Sequence, residues 1–527
     1  MRFNPTRRKS SACWNFKEIG DRLKPVPNLL KVVSFFTLHM KPTTLGELKR
    51  QNGEPSRYRS VREEIRHNLT QKLSAKEPLF PGIIGYEDSV IPAIINALLS
   101  KHNLIILGLR GQAKSRMLRA LTDFLDEEIA CVADCEINDD PFFPICGVCS
   151  KRIQEEGDDL PITYLSREQR YIEKLATPDV TIADIIGDLD PIKAAKQGRE
   201  LSAHENIHFG LLPRAHRGIF AMNELPDLAP KIQVGLFNIM QEGDVQIKGF
   251  PIRLPLDTLL VFSANPEDYT ARGKIITPLK DRIGSEVKTH YPDRIEDGIR
   301  ITLQEAWIDR NSPNTIVTPE FITEIIEGVA FLGRQDQRID HRSGVSQRLP
   351  ISCLENTVSN AEQRALKAQE ERVVPRISDI YASIPAITGK LELEYEGELK
   401  GAVNIAKQLI RAAILKSFER HFPNQQFDQI VQWFDLGGEV QVSDKTPAQE
   451  YFQKVQSIQG LEETLENMGV SPQDDLPAAV SLIEFILEGL YAGKKLSRNE
   501  ERGYYKEAVQ SEEEFLGDPA LSKRSFN

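Results

Sequence analysis

The sequence predicts an α/β fold, in which a parallel sheet is flanked by helices and followed by regions that are mainly helical. Three short apolar runs carry this prediction, because each has the length and composition of a buried strand and each ends in a polar turn. The runs are LIIL at 104–107, IFAM at 219–222 and LLVF at 259–262. Helical patterns fill much of the chain between and after them, and strands separated by helices are typical of a parallel sheet.

Composition narrows the class of protein. The chain has 527 residues, of which 27% are charged and 40% are hydrophobic, as in soluble globular proteins of about two to four domains. The net charge of −11 argues against a general nucleic-acid binder, which is usually basic, so we expect no direct contact with nucleic acid. No apolar run approaches the roughly 18 residues of a transmembrane helix. Six cysteines in so long a chain do not indicate a disulfide framework, and we expect a reducing cytoplasm.

The strand at 104–107 leads into a phosphate-binding pattern. In the stretch GLRGQAKS, Gly108 fills the first glycine of G-x-x-x-x-G-K-[ST], Gly111 adds flexibility, and Ala113 stands where the second glycine is usual. Lys114 is expected to reach the β- and γ-phosphates of ATP, and Ser115 to offer its hydroxyl to Mg²⁺. The alternative is an ordinary strand, turn and helix whose lysine is solvated. The pattern favours ATP and Mg²⁺ binding.

The second strand ends in an amide and an acid, Asn223 and Glu224. A carboxylate at such a strand end can polarise the water that attacks ATP, so Glu224 is the candidate catalytic residue. Asn223 takes the place of the usual aspartate near Mg²⁺, so the hydrogen-bonding oxygen is kept and the charge is lost. The alternative for Glu224 is a solvated acid at a strand end. We expect His204, His208 and His216 to make ordinary polar contacts.

A cysteine-rich stretch follows the P-loop helix. Cys146 and Cys149 form a C-x-x-C with a central glycine, a spacing that suits tetrahedral zinc, and Cys135 lies close enough in sequence to join them. The sequence therefore predicts a possible structural Zn²⁺ site with these three ligands. The alternative is a set of reduced cysteines, and Cys131, within an apolar run, is expected to lie in the core.

Together these motifs resemble, in order, those of the AAA+ ATPases, and more closely the branch of the magnesium chelatase I subunit and MoxR proteins. The resemblance covers roughly residues 80 to 365. GLRGQAKS resembles Walker A, GIFAMNE resembles Walker B, and NIHFGLLPRAHRG resembles the segment that leads into Walker B. ATPDVTIADIIGDLD resembles a family insertion, VQIKGFPIRLP the pre-sensor hairpin, SANPEDY sensor 1, PLKDRIG the arginine-finger segment and SGVSQRLPI the sensor 2 helix.

The resemblance implies a ring, usually a homo-hexamer, with ATP bound between subunits. It implies that Asn265 is sensor 1, that Arg282 is a finger acting on the neighbouring subunit's ATP, and that Arg348 is sensor 2. It also implies a partner with a von Willebrand A-type domain. Because this sequence lacks the Asp-x-Ser-x-Ser metal motif of such domains, the partner would be a separate chain.

The predicted organisation places the ATPase core in the middle of the chain. The predicted regions are a flexible extension at 1–39, a helical segment at 40–79, an AAA+ core at 80–305, a helical lid with sensor 2 at 306–390, and an acidic helical region at 391–527. The core includes the cysteine-rich insertion at 131–150 and the hairpin at 244–256.

The predicted function is ATP hydrolysis that drives the remodelling or activation of a partner protein or a metal-insertion complex. One alternative is a nucleotide-gated scaffold that hydrolyses ATP slowly, since Ala113 and Asn223 depart from the usual motifs. Another is a sigma-54-type transcription activator, which the sequence disfavours because it has neither a GAFTGA loop nor a C-terminal helix-turn-helix pattern.

Overall fold

The computed structural model describes residues 41–189, 207–246, 253–266, 274–423, 425–499 and 502–506. The predicted extension at 1–39, His204 and the tip of the predicted hairpin lie outside these residues. Among the helices within these ranges, none combines the length and the apolarity that a bilayer crossing needs.

A parallel sheet organises the first half of the chain. Its strands within the described ranges are β1 (Leu104–Leu107), β4 (Tyr171–Leu175), β7 (Gly218–Asn223), β10 (Thr258–Ala264) and β11 (Ser285–Lys288). They lie in the order β11-β1-β10-β7-β4, and every neighbouring pair is parallel. The three strands predicted from apolar runs are β1, β7 and β10, so the α/β prediction is confirmed.

The other strands form small two-stranded pairs. Their bounds are β2 (Glu128–Val132), β3 (Ile162–Ser166), β5 (Gly187–Leu189), β6 (Ile207–Phe209), β8 (Asp244–Gln246), β9 (Arg253–Pro255), β12 (Thr315–Ile316), β13 (Arg372–Val373), β14 (Ser497–Asn499) and β15 (Gly503–Tyr505). The pairs of the first half are antiparallel, and the pair at the predicted pre-sensor hairpin is β8 with β9.

Both faces of the sheet are buried, as the continuous apolar runs require. Alternate side chains point to opposite faces, so Ile105 and Phe262 join one hydrophobic core while Ile106 and Val261 join the other. Helices of the first half cover these faces. They are α1 (Leu45–Asn52), α2 (Val61–Ala75), α3 (Val90–Leu99), α4 (Lys114–Ala120), α5 (Gly147–Glu156), α6 (Ile182–Ile185), α7 (Leu211–Arg214), α8 (Pro230–Gly235), α9 (Phe237–Gln241) and α10 (Thr277–Arg282), with short 3₁₀ turns at Leu121–Phe124, Gly157–Asp159 and Leu225–Asp227.

The second half is helical, as predicted. One hydrophobic core includes residues from Ala306 to Tyr504, so helices on both sides of residue 390 contribute to it. The boundary predicted at residue 390, between the lid and the C-terminal region, stays a prediction. The helices are α11 (Ile295–Glu305), α12 (Glu320–Gly333), α13 (Arg348–Ala368), α14 (Ile377–Ala382), α15 (Ile384–Thr388), α16 (Tyr395–Lys400), α17 (Ala402–His421), α18 (Asp428–Asp435), α19 (Ala448–Val455), α20 (Leu461–Asn467) and α21 (Leu476–Ala492).

Candidate nucleotide site

A cavity of about 520 Å³ lies where the carboxyl ends of the sheet strands meet the helical second half. This edge is where open α/β sheets bind ligands, because the loops that follow parallel strands converge there. Seven of the residues predicted from sequence motifs line it. They are Gly111, Ala113, Lys114, Ser115, Glu224, Asn265 and Arg348.

The turn between β1 and α4 has the tight backbone that a phosphate-binding loop needs. A Cβ added at Gly108 would lie 1.7 Å from Thr289 Oγ1, so only glycine fits there. Ala113 has φ of 55°, in the left-handed region, which costs a residue with a Cβ about 1–2 kcal/mol. The structure thus shows why glycine is usual at position 113: the turn keeps the same backbone conformation with alanine, under strain.

Lys114 points back into this turn. Its side chain is buried, and Nζ donates hydrogen bonds to the carbonyl oxygens of Gly108, at 2.6 Å, and Leu109, at 3.0 Å. Nζ also donates to Oδ1 of Asn265, the predicted sensor 1 residue at the end of β10. The ammonium group is therefore held at the cavity wall by three neutral oxygens, in contact with the next strand of the sheet.

Asn223 lies beside Ser115 at the end of β7. Its Oδ1 accepts hydrogen bonds from Ser263 Oγ, at 2.8 Å, and from Ser115 Oγ, at 3.4 Å. Its Nδ2 donates to the carboxylate of Glu173, on the neighbouring edge strand β4. The hydroxyl and the amide that the sequence assigns to Mg²⁺ are thus adjacent, and the Glu173 carboxylate, which no sequence motif indicated, lies next to them.

Glu224 follows directly and has φ of 53°. Its backbone N–H donates to Ser263 Oγ at 3.4 Å, and its side chain lines the cavity. Residues other than glycine that are held in the left-handed region cluster at functional sites. The turn aims the carboxylate away from the end of β7 and into the cavity that Lys114 lines.

The two predicted arginines differ in position. Arg348 begins α13 and lines the cavity from the side of the helical second half. Arg282 ends α10, does not line the cavity, and donates to Gln241 Oε1 at 2.9 and 3.2 Å and to the Pro278 carbonyl at 2.8 Å. Its guanidinium also lies 4.9 Å from the ring centre of Phe237. The structure therefore brings Arg348 to the site and leaves Arg282 outside it.

A buried network fixes the start of α13. Gln347 Nε2 donates to both carboxylate oxygens of Glu327 at 3.0 Å, and Arg334 Nη2 donates to Gln347 Oε1 at 2.7 Å. Burial raises the pKa of Glu327, although its hydrogen bonds and the charge of Arg334 oppose that rise. Because Gln347 precedes Arg348, these contacts hold Arg348 at the cavity edge.

The apolar wall of the cavity was not predicted by any sequence motif. Ile83, Ile84, Ile301 and Ile351 come from three separate segments and line it together with Tyr291. An apolar wall opposite a phosphate-binding turn suits the base of a nucleotide. The two adjacent isoleucines in the turn PGIIGYE weakly indicated an apolar surface. No sequence periodicity connects them to Ile301 and Ile351, which lie more than 200 positions later.

The cysteine-rich insertion forms a separate cluster. The ligand atoms of Cys135, Asp139, Cys146 and Cys149 all lie within 4.8 Å of one another. Hydrogen bonds from the thiols of Cys146 and Cys149 hold the pKa of Cys135 well below its ordinary value. Cys131 lies in β2, is buried and belongs to no such group within the described residues, in keeping with its predicted place in the core.

Two of the three histidines can be placed. His216 is buried, its Nδ1 accepts a hydrogen bond from the Asp257 N–H at 3.0 Å, and burial lowers its pKa to about 3. His208 lies in β6. Neither joins a group of metal-ligating side chains in the part of the chain that the structure describes.

The chain is similar in sequence to subunits of magnesium chelatase. No protein-family model matches the sequence. The magnesium-chelatase subunit ChlI of Nostoc sp. is 29% identical over 324 residues, which are 58% of this chain and 82% of that protein. The chloroplastic ChlI of Chlamydomonas reinhardtii is 28% identical over 334 residues, 60% of this chain and 76% of its own.

A solved structure of the complex between subunits BchI and BchD of magnesium chelatase is 21% identical and covers 61% of this chain and 98% of its own, with a TM-score of 0.33. The parallel sheet, the P-loop cavity and the ChlI relatives support the interpretation of this chain as an AAA+ ATPase similar to the magnesium chelatase I subunit.

Proposed function

We propose that this ATPase is a motor that assembles into a homo-hexameric ring. ATP lies between neighbouring subunits of the ring, and its hydrolysis remodels a partner. The position of Arg282 carries the proposal. Every other side chain assigned to hydrolysis lines the chain's own cavity or contacts a residue that does, whereas Arg282 lies outside the cavity, half-buried at the end of α10. An arginine finger that acts on the next subunit's ATP must lie on such a surface.

In this proposal Mg²⁺ enters as part of the MgATP substrate, where it neutralises charge on the phosphates. Ser115 offers its hydroxyl oxygen to Mg²⁺, and the Asn223 amide oxygen, 3.4 Å from that hydroxyl, accepts a hydrogen bond from water on the ion. Lys114 binds the β- and γ-phosphates, Asn265 positions the γ-phosphate, and Arg348 contacts the phosphates from the helical side. Glu224 orients the attacking water and accepts its proton.

A separate partner protein is part of this proposal. Since BchI forms a complex with BchD, we propose that this chain also acts on a separate protein, one with a von Willebrand A-type domain, or on a metal-insertion complex. MoxR-type remodelling and a cytoplasmic location belong to the same proposal. The alternative, a slowly hydrolysing scaffold, is favoured by one observation: Asn223 carries no charge where the motif usually has an aspartate.

Glu224→Gln tests the hydrolytic part of the proposal. We expect steady-state ATPase activity to fall by at least about 100-fold, the usual contribution of a general base, while affinity for ATP is kept. Glu242→Gln, at an exposed position after α9, is the matched control and is expected to keep full activity. Equal ATPase rates in the wild type and Glu224→Gln would contradict the assignment, and a very slow wild type would favour the scaffold.

We also propose a structural Zn²⁺ in the insertion, held by Cys135, Cys146 and Cys149. Cys146 caps α5 and Cys149 lies in its first turn, where the helix favours thiolates. Asp139 is the nearby fourth donor, and its carboxylate already accepts hydrogen bonds from the N–H groups of Ile145 and Cys146, at 3.0 Å each. The three sulfurs and one oxygen fit the donor set of tetrahedral zinc.

Metal analysis tests this site. Protein purified without chelators is expected to contain about one zinc per chain, and Cys149→Ser is expected to lose it. Cys131→Ala, a change at a nearby cysteine outside the cluster, is the control and is expected to retain the metal. A wild type free of metal would support the reduced-cysteine alternative.

A further inference from the structure

The charge that Asn223 lacks is present on the adjacent strand. Strand β4 pairs with β7 in parallel, with Glu173 opposite Ala221. Because side chains two residues apart in a strand share a face, Glu173 and Asn223 lie on the same face of the sheet. The carboxylate therefore lies beside the amide at the end of β7, where the usual motif places a carboxylate of its own.

Hydrogen bonds fix the orientation of the Asn223 amide. An ionised carboxylate can only accept hydrogen bonds, so the Asn223 Nδ2 group must be the one that faces Glu173. The Oδ1 atom then faces the opposite way, toward the hydroxyls of Ser263, at 2.8 Å, and Ser115, at 3.4 Å. The amide oxygen is thus directed at the Ser115 hydroxyl, which the proposed function assigns to Mg²⁺.

Glu173 is itself held in place. Arg119, on the P-loop helix α4, donates to its two carboxylate oxygens at 2.8 and 3.1 Å. The Glu173 side chain is 21% exposed, whereas that of Arg119 is 64% exposed, so water screens the arginine more than the carboxylate. A hydrogen bond to a charged acceptor polarises the amide and increases the negative charge on its oxygen.

We propose that Glu173 is a positioning residue that supplies, through Asn223, the negative charge that the usual Walker B aspartate supplies directly. The Glu173 carboxylate orients and polarises the amide, and the amide oxygen then accepts a hydrogen bond from water on the Mg²⁺ of MgATP. This inference rests on the proposed MgATP site. The contrasting role is a structural ion pair between Glu173 and Arg119 that has no effect on Mg²⁺.

Moving the carboxylate from position 173 to position 223 distinguishes the positioning role of Glu173 from a purely structural one. The experiment measures the affinity of the full-length chain for a fluorescent ATP analogue, with Mg²⁺ and with EDTA. We expect Glu173→Gln to reduce the gain in affinity that Mg²⁺ gives by about tenfold or more, the usual effect of losing a partner of a metal-binding group. The double variant Glu173→Gln, Asn223→Asp returns a charge to position 223, and we expect it to restore the gain.

Two further chains complete the design. Asn223→Asp alone places two carboxylates in contact, so we expect a lower Tm in EDTA, and Glu173→Gln is expected to reverse that loss. Glu168→Gln removes an exposed carboxylate from the turn before β4 and is expected to keep the wild-type Mg²⁺ gain.

The outcomes distinguish the inference from the function on which it rests. The role of Glu173 is overturned if Glu173→Gln keeps the wild-type increase in affinity that Mg²⁺ gives. It is also overturned if the double variant does not restore that increase. In both cases the proposed MgATP site still stands. A wild type that binds the analogue with no Mg²⁺ gain overturns both. The inference is supported if Glu173→Gln loses the Mg²⁺-dependent increase in affinity and the double variant regains it. The double variant still lacks the ion pair between Glu173 and Arg119, so a purely structural role of that pair would not explain the recovery.

Discussion

Lys114→Ala is expected to reduce affinity for a fluorescent ATP analogue on the order of 10³-fold, because the ammonium would otherwise form charge-assisted hydrogen bonds to two phosphates. In the structure its Nζ contacts three neutral oxygens in the P-loop turn and at Asn265, and a phosphate would add the opposite charge. The side chain is only 8% exposed, so water screens it little.

A titration of the analogue measures this loss directly. Lys151→Ala, at an exposed position on α5, is the matched control and is expected to bind as the wild type does. Circular dichroism of both variants checks that the fold is retained. Wild-type affinity in Lys114→Ala would show that the P-loop assignment is wrong.

Arg282→Ala is expected to leave ATP binding unchanged and to reduce hydrolysis on the order of 10³-fold, the usual contribution of an arginine finger. The side chain makes neutral contacts with Gln241, Pro278 and Phe237 in its own chain. Glu286, a possible ion-pair partner, binds Lys280 instead, at 3.2 Å. Losing neutral surface contacts would not affect turnover, whereas losing a charge at the neighbouring γ-phosphate would.

Lys280→Ala is the control for this prediction, since it removes an exposed cation from the same helix. We expect that variant to hydrolyse ATP at the wild-type rate in a steady-state assay. Full activity in Arg282→Ala would instead make Arg282 a surface residue with no part in hydrolysis.

The fold was predictable from the sequence because its strands are buried on both faces. Burial on both sides gives continuous apolar runs, and the runs at β1, β7 and β10 were identified directly. The P-loop was identifiable because its glycines and Lys114 are close in sequence. In the cavity, Lys114, Glu224, Asn265 and Arg348 lie together because each follows or begins an element that the sequence located.

The parts that the sequence did not reveal depend on pairings between distant segments. Glu173 lies on an edge strand without an apolar run, and only its register with β7 brings it to Asn223, 50 residues further along the chain. Asp139 joins the cysteine cluster through a turn, and the apolar wall of the cavity gathers isoleucines from three segments. Local patterns carry no information about such contacts.

The central claim, an ATP site shared between subunits, is tested most directly by mixing two inactive chains and measuring ATPase activity. Glu224→Gln chains keep Arg282, and Arg282→Ala chains keep Glu224. By random pairing in an equal mixture, roughly a quarter of the head-to-tail interfaces regain both groups. We expect this mixture to recover about that share of wild-type activity. Mixed assemblies that form but stay as inactive as either variant alone would contradict it.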